Sequence, residues 1–100
     1  MIKVKLNYEG DNFTLLKVTG HANSAEYGHD LVCSAVSAVI TGGFNNLKNI
    51  DSFKVTLIEG NASLEAVKEV SAHDKIVIET IISGLKTIAE SDPKFVKIEY

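Results

Sequence analysis

The stretch Gly20 to Ser37, G-H-A-N-S-A-E-Y-G-H-D-L-V-C-S-A-V-S, carries the only cysteine and two of the three histidines of the chain. A thiol attacks or binds metal as its anion, and the start of a helix, with its unpaired N–H groups and macrodipole, favours negative charge. Gly20 to Asp30 reads as a loop between a strand and a helix, and the apolar run from Leu31 reads as the start of that helix. Cys33 is therefore expected in the first turn, as the third helical residue. Asp30 is the expected N-cap, its carboxylate accepting from the N–H of Val32 or Cys33. That carboxylate opposes the effect of the dipole on the thiol, so a cationic partner must tip the balance, and His21 and His29 are the candidates.

His21 follows Gly20 at the end of a strand, where a side chain is held firmly while the loop beyond it moves. It is the better placed general base for the Cys33 proton. His29, just before the expected cap, is expected to point to solvent. Asp30 could orient His21 as a third member of the site. Ser37 lies four residues beyond Cys33 on the same helix face, and either hydrogen-bonds near the site or returns its hydroxyl to the backbone. Gly20 and Gly28 bracket the loop as candidate hinges of a lid. Two blander uses of these residues stay open. Cys33 could be a small buried filler, or His21, His29 and Cys33 could hold zinc, although a second cysteine and the usual zinc spacing are missing.

The elements that must position these residues follow from periodicity. Ile2, Val4, Leu6 and Tyr8 alternate with polar residues as in a strand covered on one face. Glu9 to Asn12 makes a hairpin turn in which Gly10 and Asn12 can take positive φ. Phe13 to Thr19 forms a second strand whose broken alternation implies a bulge or a partly covered second face. From Leu31 to near Lys48 the apolar residues wrap a helix expected to be buried on most sides. Gly42 and Gly43 inside it cost about 1 kcal/mol each relative to alanine, which implies a kink or the close approach of another backbone. Phe53–Ile58 and Ala62–Val67 form a second hairpin with Phe53, Val55 and Leu57 on one face. Ser71 and Asp74 read as a capping box opening a helix that ends near Glu90, with Val77, Ile78, Ile81, Ile82, Leu85, Ile88 and Ala89 on its buried face. His73 falls in the first turn of that helix, as a surface or capping residue. Pro93 blocks continuation, and Phe95 to Tyr100 returns to a strand. The order ββαββαβ predicts an α+β fold, a mainly antiparallel sheet with two helices packed on one face.

One hundred residues, 45% hydrophobic with a single proline, describe one domain over residues 1–100 with a modest core that dimerisation would help. The net charge of -3, with no basic cluster in the sequence denser than Lys3 and Lys5, argues against a phosphate-tracking surface, so no direct nucleic-acid partner is expected. No apolar run approaches the roughly 18 residues of a membrane span. The N-terminus lacks a secretory pattern. The expected compartment is the cytoplasm, where a lone thiol stays reduced.

At Gly20-His21-Ala22, then Gly28, Asp30, Val32-Cys33, Ala35 and Ser37, the chain resembles the ribosomal-processing cysteine protease family, Prp, with order and spacing agreeing across essentially its whole length. Ser34 stands where relatives commonly have alanine. The resemblance implies a cytoplasmic endopeptidase, homodimeric and without a cofactor or metal, that removes a short N-terminal extension from a large-subunit ribosomal protein before or during ribosome assembly. It implies Cys33 as nucleophile and His21 as general base, with Asp30 and Ser37 at motif positions. The alternative from another class is a non-enzymatic, dimeric, ribosome-associated binding module in which Cys33 is packing.

Overall fold

The computed structural model describes residues 1–20 and 29–100, with the backbone alone at 29 and 30. It contains β1 (Ile2–Glu9), β2 (Asn12–Thr19), α1 (His29–Asn45), a 3-10 turn (Ile50–Ser52), β3 (Phe53–Ile58), β4 (Asn61–Ala66), α2 (Ala72–Ser91) and β5 (Val96–Glu99). The strands lie in the order β3-β4-β2-β1-β5. Every neighbouring pair is antiparallel except β1 and β5, which run parallel. This is the expected α+β architecture with the expected element order.

Alternation in β1 sets the layers. Ile2, Val4 and Leu6 are buried while Lys3 and Lys5 are exposed. The buried set joins Leu16, Val18, Leu64 and Val96 from the other strands, and meets Val32, Val36, Ile40 and Phe44 of α1 and Val77, Ile78, Ile81, Ile82 and Leu85 of α2 in one cluster. The expected bulge is present. Asn7 faces Leu15 but Tyr8 faces Phe13, so Thr14 is the extra residue. Its hydroxyl donates to the Asn7 carbonyl at 3.0 Å. The insertion returns Phe13 to the core side, where it meets Tyr8 edge-on with ring centroids 6.3 Å apart. In the preceding turn only Gly10 takes a positive φ, 62°. Asn12 does not, because it already belongs to β2.

Both ends of α1 depart from expectation. The helix already runs at His29, so Asp30 is inside it and is not the N-cap, and Cys33 is the fifth described helical residue. At the other end it stops at Asn45. Asn46 and Leu47 donate to the carbonyls of Gly43 and Phe44 (3.0 and 3.2 Å), tightening the last turn. The N–H groups of Lys48 and Asn49 then turn to the Asp74 carboxylate, at 2.9 Å each. Nor is α1 buried on most sides. Its covered stripe is Val32, Val36, Ile40 and Phe44, with Leu31 68% exposed and Ser34, Ser37, Ala38 and Thr41 open to solvent.

The glycine pair divides its roles. A Cβ on Gly43 would collide with the Ile81 side chain, whereas one on Gly42 would meet nothing within 4 Å. Val39 in turn packs over Gly84, where a Cβ would lie 3.0 Å from its Cγ1. The close approach is thus side chain into glycine, in both directions across the α1–α2 contact, and not backbone against backbone.

Ser71 caps α2 as expected, its hydroxyl accepting from the Asp74 N–H at 3.2 Å. The reciprocal half of the capping box is absent, since the Asp74 carboxylate is spent on Lys48, Asn49 and the Nδ1–H of His73 at 2.9 Å. Phe53, Val55 and Leu57 do share a face, opposite Ala66, Leu64 and Ala62. Only Phe53 is buried; Val55 and Leu57 are 37% and 49% exposed because β3 is the outer strand.

Candidate active site

Cys33 rides on the flank of the α1 stripe, half-buried and packed against the core cluster. With α1 beginning no later than His29, the Cys33 N–H falls at the i−4 spacing to the His29 carbonyl and is committed within the helix. The thiol therefore sits in the second turn, not the first, which weakens the direct pull of the helix start, since that effect fades beyond one turn. The same shift puts the backbone of Asp30 at i−3 and that of His29 at i−4 from Cys33, adjacent register positions on one side of the helix. His29 is thus a helical residue one turn upstream of the thiol, and not a residue ahead of the cap. Ser37, one turn downstream of Cys33, is exposed as a residue at the rim of the covered face should be.

The strand that leads into the site is firmly anchored. Gly20 follows the last residue of β2 with φ 110°, a backbone region that L side chains rarely adopt. Its N–H donates to the Gly60 carbonyl at 3.2 Å, and a Cβ there would run into the carbonyl oxygen of Met1. Glycine is required at this point by conformation and by space. Gly60, in the β3–β4 turn, has φ 75°. His21, Gly28 and the loop they bound lie outside the described residues, as do the side chains of His29 and Asp30. The zinc alternative, which needs both histidines, falls there too.

One polar group beside this anchor gave no signal in the sequence. Asn61 pairs with Thr19 at the end of β2, and its Oδ1 is buried without a hydrogen-bond partner. Reading it as a turn residue misses this, because its burial depends on β2 lying alongside. Three cavities lined by described residues lie elsewhere: one of about 420 Å³ between the β1–β2 hairpin and the start of α2, one of about 490 Å³ in the outer α1–α2 groove, and one of about 470 Å³ between the 3-10 turn and the start of α2.

A sheet-and-two-helix domain holding its thiol on a helix, just after a glycine-anchored strand end followed by histidine, has the layout of a small cysteine-dependent hydrolase. Residues 1–97 match the family described as Cysteine protease Prp, and the chain belongs to that family. The ribosomal processing cysteine protease Prp of Bacillus subtilis strain 168 is 33% identical over 99 residues, covering 88% of this chain and 87% of its own. A crystal structure of the essential ribosomal processing protease Prp from S. aureus in complex with a substrate peptide superposes with a TM-score of 0.86 at 26% identity, over 100% of this chain and 99% of that one. The same S. aureus protease with a covalently linked product peptide gives 0.84 at 27% identity, with the same coverage.

Proposed function

We propose that this cysteine protease removes a short N-terminal extension from a large-subunit ribosomal protein during ribosome assembly, with Cys33 as nucleophile and His21 as general base. The observation that carries the reading is the seat of Cys33. The thiol of a family of cysteine proteases is held half-buried on the first helix, and the chain just upstream leaves β2 at an anchored glycine with His21 as its next residue.

In the reaction His21 takes the thiol proton and the Cys33 sulfur bonds to the scissile carbonyl carbon. The C–N bond then breaks as His21 returns the proton to the leaving amine. Water, deprotonated by His21, attacks the thioester, releasing a carboxylate and restoring the thiol. The tetrahedral oxyanion needs donors that the helix has not already used. The Cys33 N–H is committed to His29, so these donors come from the N–H groups of the helix start one turn upstream. Asp30 and Ser37 support the site from the neighbouring turns, and Gly20 and Gly28 bound the segment that closes over substrate. An extended peptide adds readily to an open strand edge, and β3 offers one, with the half-exposed Val55 and Leu57 beside it. The protease works as a homodimer in the cytoplasm, as one domain over residues 1–100 and without a cofactor.

The test is cleavage of the N-terminal region of the host's own large-subunit ribosomal protein, read by mass. Cys33→Ala is expected to abolish cleavage while retaining peptide binding and the thermal unfolding midpoint. His21→Ala is expected to lower turnover by about 10²–10⁴-fold, the usual worth of a positioned base. The i−4 position of His29 makes it the one rival for that role, so His29→Ala is the decisive comparison. A larger loss there than at His21 would reassign the base. Unchanged cleavage in Cys33→Ala would leave the thiol as packing, as in the binding-module alternative.

A further inference from the structure

The sheet face turned away from the helices gathers lysines that the sequence keeps apart. Lys3 and Lys5 stand on β1; the register sets Lys17 of β2 opposite Lys5, and Lys97 of β5 beside Lys3. All four are exposed. Side chains two apart on a strand are separated by about 6.5–7 Å and neighbours across strands by about 5 Å. Four ammonium groups therefore rise from a patch roughly 10 Å across. One carboxylate stands among them, Glu99, next to Lys5. Lys54 and Glu65 face each other farther out on β3 and β4, and Glu9 lies at the hairpin end. Among the described residues the one ion pair is His73 with Asp74, so none of the four lysines is in an ion pair, Lys5 and its neighbour Glu99 included.

This arrangement has a cost that the fold does not explain. Like charges set directly across a sheet are destabilising, and here each β1 lysine faces a lysine on one side: Lys3 faces Lys97 on β5 and Lys5 faces Lys17 on β2. The chain as a whole is acidic, with thirteen carboxylates against ten lysines, so anions to interleave were at hand. We infer that this face docks on the phosphate backbone of RNA. Between the four lysines stands no aromatic or large apolar side chain; Leu15 and Met1 border the patch beyond Lys17 and Lys3, so its centre lacks the desolvated anchor that protein interfaces centre on and has no ring to stack on bases. What remains is charge at close spacing, which suits a phosphate chain and is indifferent to base sequence. The patch and Cys33 lie on opposite faces of the sheet, so RNA and peptide are held at once. The inference stands on register and charge and does not depend on the peptidase reading.

The test is fluorescence anisotropy of a labelled single-stranded uridine homopolymer with the full chain across a salt series. A single strand gives a log–log salt slope of about −0.7 per phosphate neutralised, so four contacts give about −3. Lys5→Gln/Lys17→Gln is expected to roughly halve that slope, with the thermal midpoint unchanged or raised and peptide cleavage retained. Those two readouts show that the variant is folded, and the double variant decides the matter should replacement of all four lysines prevent folding. Absence of binding at low salt, or an unchanged slope in the double variant, overturns the proposal. So does tighter binding to polyglutamate or to phosphatidylserine vesicles than to the RNA, which would assign the face to an acidic protein or a lipid surface.

Discussion

Asp74 shows how far a residue's neighbours can redirect its role. It is fully buried, yet its carboxylate accepts from the backbone of Lys48 and Asn49 and from His73, tying the start of α2 to the segment that leaves α1. Burial by itself pushes its pKa up, but the Lys48 N–H, the His73 side chain and the Asn49 N–H outweigh it and hold the pKa below the ordinary 3.8. A carboxyl held lower in the folded than in the unfolded state contributes stability that is fully present above the unfolded value. That stability is lost as pH falls from there through the lowered folded value. Asp74→Asn is expected to cost about 2–3 kcal/mol at neutral pH, since charge-assisted bonds to buried donors are lost. The loss should begin to shrink as pH falls below the unfolded value of about 4 and vanish only below the lowered folded value, where the wild-type carboxyl is protonated in both states; denaturant titrations at neutral and acid pH check both. The S-x-x-D spacing announced the Ser71 cap, but nothing local announced that the carboxylate would reach a backbone 25 residues earlier. Cys33 and His21 stood out in the sequence as candidates because their residue types are scarce in this chain, whereas the buried Asn61 amide had no such mark.

At the scale of elements, the contact between α1 and α2 turns on which of two adjacent glycines faces inward. Alanine gains about 1 kcal/mol over glycine in a helix interior. At Gly42 the new methyl meets open space, so Gly42→Ala should raise stability by up to that amount. At Gly43 it strikes Ile81, and overpacking of about 1–3 kcal/mol exceeds the gain. Gly43→Ala should therefore destabilise, and Gly43→Ala/Ile81→Ala should lose less than the sum of its parts, because each change makes room for the other. Thermal unfolding of the set decides this. The strand and helix periodicities were legible in the sequence, and so was the bulge, because a two-residue alternation cannot slip without leaving a trace. The ends of α1 were not. Leu31 looked like a first helical residue because the apolar run begins there, but hydrogen bonding does not require an apolar side chain, and the helix includes His29 and Asp30.

The whole molecule is closed by its two ends. β5 lies parallel to β1, pairing Ile2 with Val96, and the Ile2 N–H donates to the Phe95 carbonyl at 2.7 Å. Val96 is 2% exposed, and removing residues 95–100 would strip this cover and leave β1 as an open edge of alternating apolar residues. The truncated chain is expected to lose its cooperative unfolding transition and to aggregate with concentration, read by circular dichroism and size-exclusion chromatography. A retained sharp transition would show that the four-stranded remainder suffices. The lysine patch also belongs to this scale. In the sequence Lys3 and Lys5 were the densest basic cluster, and a phosphate-tracking surface looked excluded; β2 and β5 bring in Lys17 and Lys97 from 12 and 92 residues after Lys5.

The sequence by itself determined the class of fold, the covered face of β1, the buried stripe of α2 and the stretch that carries the thiol. Each of these follows from residues close enough along the chain to share one period or one turn. Only the tertiary structure decided where α1 begins beneath Cys33, which glycine meets Ile81, what the Asp74 carboxylate binds and which lysines become neighbours. Those depend on strand order and register, which are set by the packing of segments that no local pattern pairs in advance.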